Sequence, residues 1–244
     1  MVPTRADEAL DVLRDTQESI LDVVRKRLGT VRQAHGTEST QLKKLPRSFY
    51  LRPTLQVARD LLGKHIVRVY HGKRLIARIV ETEAYRQDDP ASHAYSGRTK
   101  RNDVMFWNGG HLYVYFTYGM HFCANVVTRK KGASEAVLIR AVEPLNGIAE
   151  MMQNRFRTTE TPTASNTGTL HPPANLSDGP AKLCQALGIR REQDGTDLLN
   201  GEIYLLDAPR LPSSMVGRTT RIGIVSGREK KWRFFVKESG WVSR

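Results

Sequence analysis

Residues 80–93, VETEAYRQDDPASH, place two glutamates, a tyrosine, two aspartates and a histidine at the end of the apolar run LIARIV. Side chains alternate between the two faces of a β-strand, so Glu81 and Glu83 are predicted on one face, roughly 7 Å apart. A carboxylate at the edge of a hydrophobic core can act as a general base because its surroundings tune its pKa. A solvated strand end is the simpler interpretation of this segment taken alone.

Aromatic residues crowd a second segment, GGHLYVYFTYGMHFCANVV at 109–127, which has the pattern of one β-hairpin. Core packing is the simpler role for most of them. Tyr118 stands beside Gly119 at the predicted tip, where an aromatic side chain suits a core poorly but could wedge between stacked bases. Tyr115, lower on the strand, could instead stack on an extruded base.

The chain carries 38 Lys and Arg against 25 Asp and Glu, a formal charge of +13. Such an excess favours a polyanionic partner, most often nucleic acid; a basic enzyme without such a partner is the alternative. Basic runs flank the hairpin and recur late in the chain, which favours a surface for phosphates. The run expected on the nucleic-acid backbone is Arg98, Lys100 and Arg101, and the others are Arg129, Lys130 and Lys131, then Arg228, Lys230, Lys231 and Arg233.

The elements that position these segments mix helices and strands without a regular βαβ alternation, which favours an α+β fold around an antiparallel sheet. Strands are predicted at LIARIVETEAY, on both sides of Tyr118, at AVLIRAVEPL, and through RIGIV and WRFFV. Helices are predicted from a cap at Thr54 to Gly63, at GIAEMMQNRF, and from Pro180 to Gly188. Residues 157–178 have the composition of a mobile loop.

Residues 1–45 are predicted to form an N-terminal extension ahead of a single domain at 46–244. Apolar residues recur along one face of 7–28, which is typical of an amphipathic helix, and 29–45 form a polar linker. This helix would pack on the domain or contact another protein.

Two cysteines, Cys123 and Cys184, lack CxxC or His-flanked spacing and are predicted to be free, buried thiols in a reducing compartment. No run approaches the ~18 apolar residues that span a bilayer, and no apolar secretory region opens the chain. We therefore expect an intracellular protein without a membrane contact, in the cytoplasm or nucleoid of a bacterium or the nucleus of a eukaryote.

Five ordered segments resemble the alkyladenine (3-methyladenine) DNA glycosylase family, the broad-specificity purine glycosylases of base excision repair. They are ARIVETEAY, DDPASHAYSGRTKRNDVMF, GHLYVYFTYGMHFCANVV, VLIRAVEPL and DGPAKLCQALGI. The resemblance spans residues 46–244. It implies one α+β domain on a curved antiparallel sheet with surrounding helices and a protruding hairpin that inserts into DNA. It also implies a monomer that acts on double-stranded DNA containing damaged purines, with no cofactor and no metal.

The resemblance assigns roles by position in these segments. Glu83 matches the general base that deprotonates the attacking water, and Arg140 the partner that holds that carboxylate and water. The side chains that sandwich the flipped base are Tyr85, His93 and Tyr115, with a backbone amide near His93 that reads the base edge.

The roles that the resemblance assigns to residues of the hairpin predict the length of its loop. Asn125 matches the residue that excludes guanine-type exocyclic amines, Tyr118 the intercalating tyrosine, and Met120 its neighbour. A two-residue turn at 118–119 would place Asn125 opposite Leu112, away from the face that carries Tyr115. A three-residue loop at 118–120 restores a common face, so the carried-over roles predict the longer loop.

The chain departs from the family pattern in two places. Between Glu83 and His93 it is one residue shorter than the family's AYLGPDDPAS-like form, and His121 stands where an aromatic residue is common. No lysine lies in LIARIVETEAY, which favours hydrolysis over a Schiff-base lyase step.

Two alternatives remain open from the residues alone. One is a metal-dependent nuclease that holds Mg²⁺ with Glu81, Glu83, Asp88 and Asp89. The other is a lesion sensor that keeps the hairpin without turnover.

Overall fold

A computed structural model describes residues 42–156, 172–173 and 175–243. The predicted helix at 7–28, all but the last four residues of the 1–45 extension, and most of the predicted 157–178 loop lie outside the described residues. The domain predicted from residue 46 onward is covered except for the gaps at 157–171 and 174 and the final residue.

The helices of the described part are short. Two of them end at a glycine with a left-handed backbone, as predicted: Gly63 follows the helix Thr54–Leu61, and Gly188 follows the helix Pro180–Ala186. Thr54 was wrongly predicted as a cap: Pro53 holds that position, and the Thr54 hydroxyl instead bonds Thr128 and Glu135. The α-helices are α1 (Arg47–Tyr50), α2 (Thr54–Leu61), α3 (Ile148–Phe156) and α4 (Pro180–Ala186), with 3₁₀ turns at Asp103–Phe106, Arg191–Gln193 and Ser213–Met215.

The strands form one curled antiparallel sheet, which confirms the predicted α+β class. They are β1 (His65–Tyr70), β2 (Lys73–Tyr85), β3 (Leu112–Thr117), β4 (His121–Thr128), β5 (Glu135–Asn146), β6 (Ile203–Leu206), β7 (Val216–Thr219) and β8 (Arg233–Val236). The order is β3-β4-β5-β2-β1-β6, with β8 paired to β2 and β7 paired to β8. RIGIV, predicted as a strand, instead forms a loop, because Gly223 has a φ of +73° that ends extended pairing there.

The long strand β2 organises the site. Its first half pairs with β1, residues 81–83 pair with β8, and β5 runs along its other edge. The register against β5 shifts on both sides of Glu81, so the two-residue alternation does not run unbroken from Leu75 to Tyr85. Such irregularities bend a strand, and here β2 changes partner from β1 to β8 where its glutamates lie.

Helices α2 and α4 pack on the sheet and close the core around Leu61, Ile79, Val126 and Leu183, all without exposed surface. The thiols Cys123 and Cys184 are free and buried, as predicted. None of the described helices is long and apolar enough to cross a membrane.

Candidate active site

Strands β3 and β4 form the predicted hairpin with its three-residue loop. Thr117 pairs with His121 and Tyr113 pairs with Asn125, so the loop comprises residues 118–120. Tyr118 has a φ of +49° and is 84% exposed, and Met120 is 67% exposed. A left-handed backbone is unfavourable for a bulky residue. The packing of the domain therefore gives no reason for a tyrosine at this position.

A cavity of about 500 Å³ lies between the hairpin, β2 and a loop at 222–226. This volume falls in the usual range of small-molecule sites. The 222–226 loop also lines the cavity, and the predicted site residues at its wall are Tyr85, His93, Tyr115, Tyr118, Asn125 and Arg140. Met120 belongs to the exposed hairpin loop but does not line the cavity. The shortened segment after Glu83 still brings His93 to the cavity.

His93 is held in place by contacts with three neighbouring residues. Its imidazole meets the Tyr115 ring edge-on with centroids 4.4 Å apart, and its Nδ1 lies 3.0 Å from the Tyr113 hydroxyl. Asn102 donates from Nδ2 to the His93 carbonyl at 2.7 Å. Burial is the larger cause, and the charge of Arg101 the smaller, of a pKa of His93 that lies below its usual value of 6.5. The ring is therefore neutral at pH 7.

Tyr115 and Asn125 complete the polar features of this wall. Tyr115 pairs with Cys123 across the hairpin, and burial raises the pKa of both the hydroxyl and the thiol, so both stay protonated. Asn125 is 4% exposed and donates from Nδ2 to the Tyr113 carbonyl at 3.2 Å. The pairing of Asn125 with Tyr113 puts it on the face that the three-residue loop predicted.

Glu83 is fully buried and contacts three residues of the cavity wall. Its Oε2 accepts a hydrogen bond from the Tyr85 hydroxyl at 2.9 Å, and its Oε1 accepts one from the Ile222 amide at 2.8 Å. The Arg140 guanidinium lies 3.4 Å from Oε1. All three partners line the cavity, so the Glu83 carboxylate is held directly by residues of the cavity wall.

Glu81, two residues earlier, is also without exposed surface but faces a different set of partners. It accepts hydrogen bonds from Arg140, Arg233 and Ser243. Two carboxylates and two guanidinium groups therefore balance their charges inside the domain. Sequence reasoning treated Arg233 as a phosphate contact, and the structure corrects this, because its guanidinium points inward to Glu81.

The loop at 222–226 is fixed by a buried ion pair between Asp89 and Arg221, neither of which has exposed side-chain surface. Burial alone would raise the pKa of Asp89, but the hydrogen bonds and charge of Arg221 outweigh it and lower that pKa. Arg221 also lies over the Tyr85 ring, 4.7 Å from its centroid. Gly227 packs so closely that an added Cβ would lie 2.9 Å from Asp89 Oδ1.

Sequence reasoning missed both this loop and the ion pair that holds it. A signal was present in the two glycines, Gly223 and Gly227, which flank an apolar run at the start of a charged segment. The apolar alternation of RIGIV outweighed that signal and led to the strand prediction.

The four acidic residues of the nuclease alternative are divided among separate partners. Glu81 and Glu83 face Arg140, Asp89 faces Arg221, and Asp88 pairs with Arg86 at the surface at 3.1 Å. Within the described ranges, no group of three His, Cys, Asp or Glu is arranged to hold a metal ion. The geometry therefore does not assemble the Mg²⁺ site of that alternative.

The three residues of the basic run before the hairpin differ in their partners and exposure. Arg98 pairs with Asp103 at 2.6 Å, while Lys100 is exposed. Arg101 donates to the Phe116 carbonyl at 3.2 Å, which places its charge on the hairpin stem. Of the late run, Lys230 lies 3.4 Å from Asp89 and belongs to the loop anchor.

An antiparallel sheet that carries an exposed aromatic hairpin beside an aromatic cavity, with a buried carboxylate behind its wall, fits an enzyme that acts on a base of DNA. Residues 48–240 match the family model described as methylpurine-DNA glycosylase (MPG). The chain belongs to this family of DNA repair hydrolases, which act on N-glycosyl bonds.

Relatives from bacteria and archaea share nearly the whole domain. A protein of Carboxydothermus hydrogenoformans is 48% identical over 201 residues, covering 82% of this chain and 98% of its own. Proteins of Chlorobium phaeovibrioides and Methanoculleus marisnigri are 45% and 44% identical over 205 residues, covering 83% and 82% of this chain and 98% of their own. Each bears the description "Putative 3-methyladenine DNA glycosylase".

Proposed function

We propose that this chain releases alkylated or deaminated purines of the 3-methyladenine, hypoxanthine and ethenoadenine class from duplex DNA inside the cell. The reaction is a hydrolysis that leaves an abasic site, performed by one copy of the domain. The observation that carries the proposal is the fully buried Glu83 carboxylate, hydrogen-bonded to two groups of an aromatic cavity beside an exposed tyrosine.

The first step is removal of the damaged base from the helix. An enzyme that acts on a base in duplex DNA must take that base out of the stack, and damaged pairs cost less to open. Tyr118 fills the gap left in the stack, with Met120 beside it on the same loop. Their exposure of 84% and 67% on a strained turn supports this role, because neither side chain contributes to the core.

The second step is recognition in the cavity. The extruded base stacks among Tyr85, His93 and Tyr115, whose faces attract electron-poor or cationic purines. The neutral state of His93 matters here, because an imidazolium would repel a cationic base. Asn125, buried at the wall, excludes guanine by leaving its exocyclic amine clashing or unpaired.

The third step is bond cleavage. The bond between C1′ and the base nitrogen breaks with its electron pair leaving on the base, and positive charge develops on the sugar. Glu83 stabilises that charge and takes a proton from the water whose oxygen bonds to C1′. Arg140 holds the carboxylate in position. The cavity lining in the described part of the chain includes no lysine, which supports hydrolysis rather than a Schiff-base lyase step.

A single-turnover assay on duplexes that carry hypoxanthine, ethenoadenine or 3-methyladenine, in a chelator, tests the proposal. We expect base release without strand cleavage and without added metal. Strand incision that appears only when Mg²⁺ replaces the chelator would support the nuclease alternative. Tight lesion binding without release of any of the three bases would support the lesion sensor.

A further inference from the structure

We propose that Glu81 and Ser243 are positioning residues that aim the Arg140 guanidinium at Glu83, an inference that rests on the proposed function. Ser243 lies about a hundred residues from Arg140 in the chain, yet its backbone and its hydroxyl both bind the Glu81 carboxylate. Neither residue is among those that line the cavity, and Arg140 is the contact through which both reach the cavity wall in the described part of the chain.

Both oxygens of the Glu81 carboxylate accept hydrogen bonds from neighbouring residues. Its Oε1 accepts from Arg233 Nε at 2.6 Å, Ser243 Oγ at 2.9 Å and Arg140 Nε at 3.1 Å. Its Oε2 accepts from the Ser243 amide at 2.7 Å. A fully buried carboxylate with this many donors has one available orientation, because rotation would leave buried donors unpaired.

Arg140 is fixed from the side opposite Glu83. Its Nε faces Glu81 Oε1, and its Nη2 donates to Ser243 Oγ at 3.3 Å. The guanidinium is planar and rigid, so holding two of its nitrogens sets the position of the third. That third nitrogen, Nη1, lies 3.4 Å from Glu83 Oε1. The Ser243 hydroxyl donates to Glu81 and accepts from Arg140, which makes it the link between the two.

The competing explanation is that these contacts only attach segment 239–243 to the sheet. Arg233 does contribute to such an attachment, since it donates to the Ser243 carbonyl at 3.3 Å. An attachment alone, however, would affect stability without depending on Arg140. The two explanations therefore differ in whether the effect of Ser243 disappears when Arg140 is removed.

The test compares three single variants in single-turnover base release and in binding to lesion DNA. Ser243→Ala removes the linking hydroxyl, and we expect roughly a tenfold slower release with the binding constant within twofold, because small misplacements of catalytic groups cost up to about a hundredfold. Ser243→Thr retains the hydroxyl and should recover to within about threefold of the wild-type rate. Ser239→Ala is the matched control and should leave the rate unchanged, because within the described residues that hydroxyl is hydrogen-bonded only to the Trp241 amide.

A double-mutant cycle with Arg140→Gln decides the mechanism. Adding Ser243→Ala to Arg140→Gln should change the rate by less than about twofold. The inference is overturned if Ser243→Ala matches the wild type, or if its loss persists undiminished in the Arg140→Gln background. It is also overturned if Ser243→Thr fails to recover while remaining folded.

An NMR measurement separates this inference from the proposed function. The Nε–H of Arg140 should exchange slowly with solvent in the wild type and faster in Ser243→Ala, whatever the activity. A wild-type chain that releases no base refutes the proposed function, whereas unchanged Arg140 exchange in Ser243→Ala refutes the positioning.

Discussion

At the residue scale, the packing of the domain does not account for a tyrosine at position 118, whereas insertion into DNA does. Tyr118 combines a left-handed backbone with 84% exposure, although exposed turn positions of this kind favour glycine or asparagine. Strained residues persist where function requires them. The sequence alone indicated its place at the tip, because Gly119 marks the turn.

Tyr118→Ala should weaken binding to lesion duplex by roughly tenfold or more, because stacking of an aromatic ring on a base contributes about 1–3 kcal/mol. Binding to undamaged duplex should change little, since no gap is filled there. Titration of both duplexes at one salt concentration measures the difference. Equal losses on the two would mean that the tyrosine has a structural role only.

The pH dependence of lesion binding tests the neutral state of His93. Because burial and Arg101 lower its pKa below 6.5, the imidazolium forms only as the pH falls through that lowered pKa. Affinity for a 2′-fluoro-stabilised 3-methyladenine duplex should therefore stay constant from about pH 8 to 6.5 and fall only as the pH drops through that lowered pKa. A neutral hypoxanthine duplex serves as the control. The same fall for both duplexes would count against a charge effect at His93.

At the element scale, the hairpin was predictable and the 222–226 loop was not. The hairpin is local in sequence, and of the two- and three-residue loops only the three-residue loop puts Tyr115 and Asn125 on a common face, so its register could be inferred. The loop depends on Arg221 reaching Asp89, more than a hundred residues earlier, and no local pattern encodes that contact. The separate roles of Glu81 and Glu83 were hidden for the same reason, since they depend on the register shifts of β2 and on the distant Ser243.

Asp89→Ala should destabilise the domain, because it leaves the Arg221 charge buried without its partner. Breaking a fully buried ion pair typically costs about 3–5 kcal/mol. Denaturant unfolding measures the loss, and Asp88→Ala, at an exposed pair, should change stability by less than about 1 kcal/mol. An Asp89→Ala variant as stable as Asp88→Ala would show that the ion pair does not anchor the loop.

At the scale of the whole molecule, the charge of +13 indicated a nucleic-acid partner but could not say which basic residues face it. The structure sorts them, because Arg233 and Arg221 neutralise buried carboxylates while Lys100 remains exposed. Net charge therefore predicted the class of partner, and only the fold separates surface cations from structural ones.

Lys100→Ala should lower the salt dependence of binding, because each phosphate contact contributes about 0.9 to the slope of log K against log salt. The change should be similar for damaged and undamaged duplex. Arg98→Ala is the comparison, and its effect should be smaller because Asp103 already neutralises that charge. An unchanged slope for Lys100→Ala would remove this lysine from the DNA interface.

The most direct measurement of the central claim is single-turnover base release by Glu83→Gln beside the wild type, with lesion binding measured on the same duplex. General-base catalysis contributes about 10²–10⁴-fold, so release should fall by at least about a hundredfold while the binding constant stays within threefold. Glu229→Gln, an exposed glutamate, is the control and should match the wild type. Base release by Glu83→Gln at the wild-type rate would contradict the account.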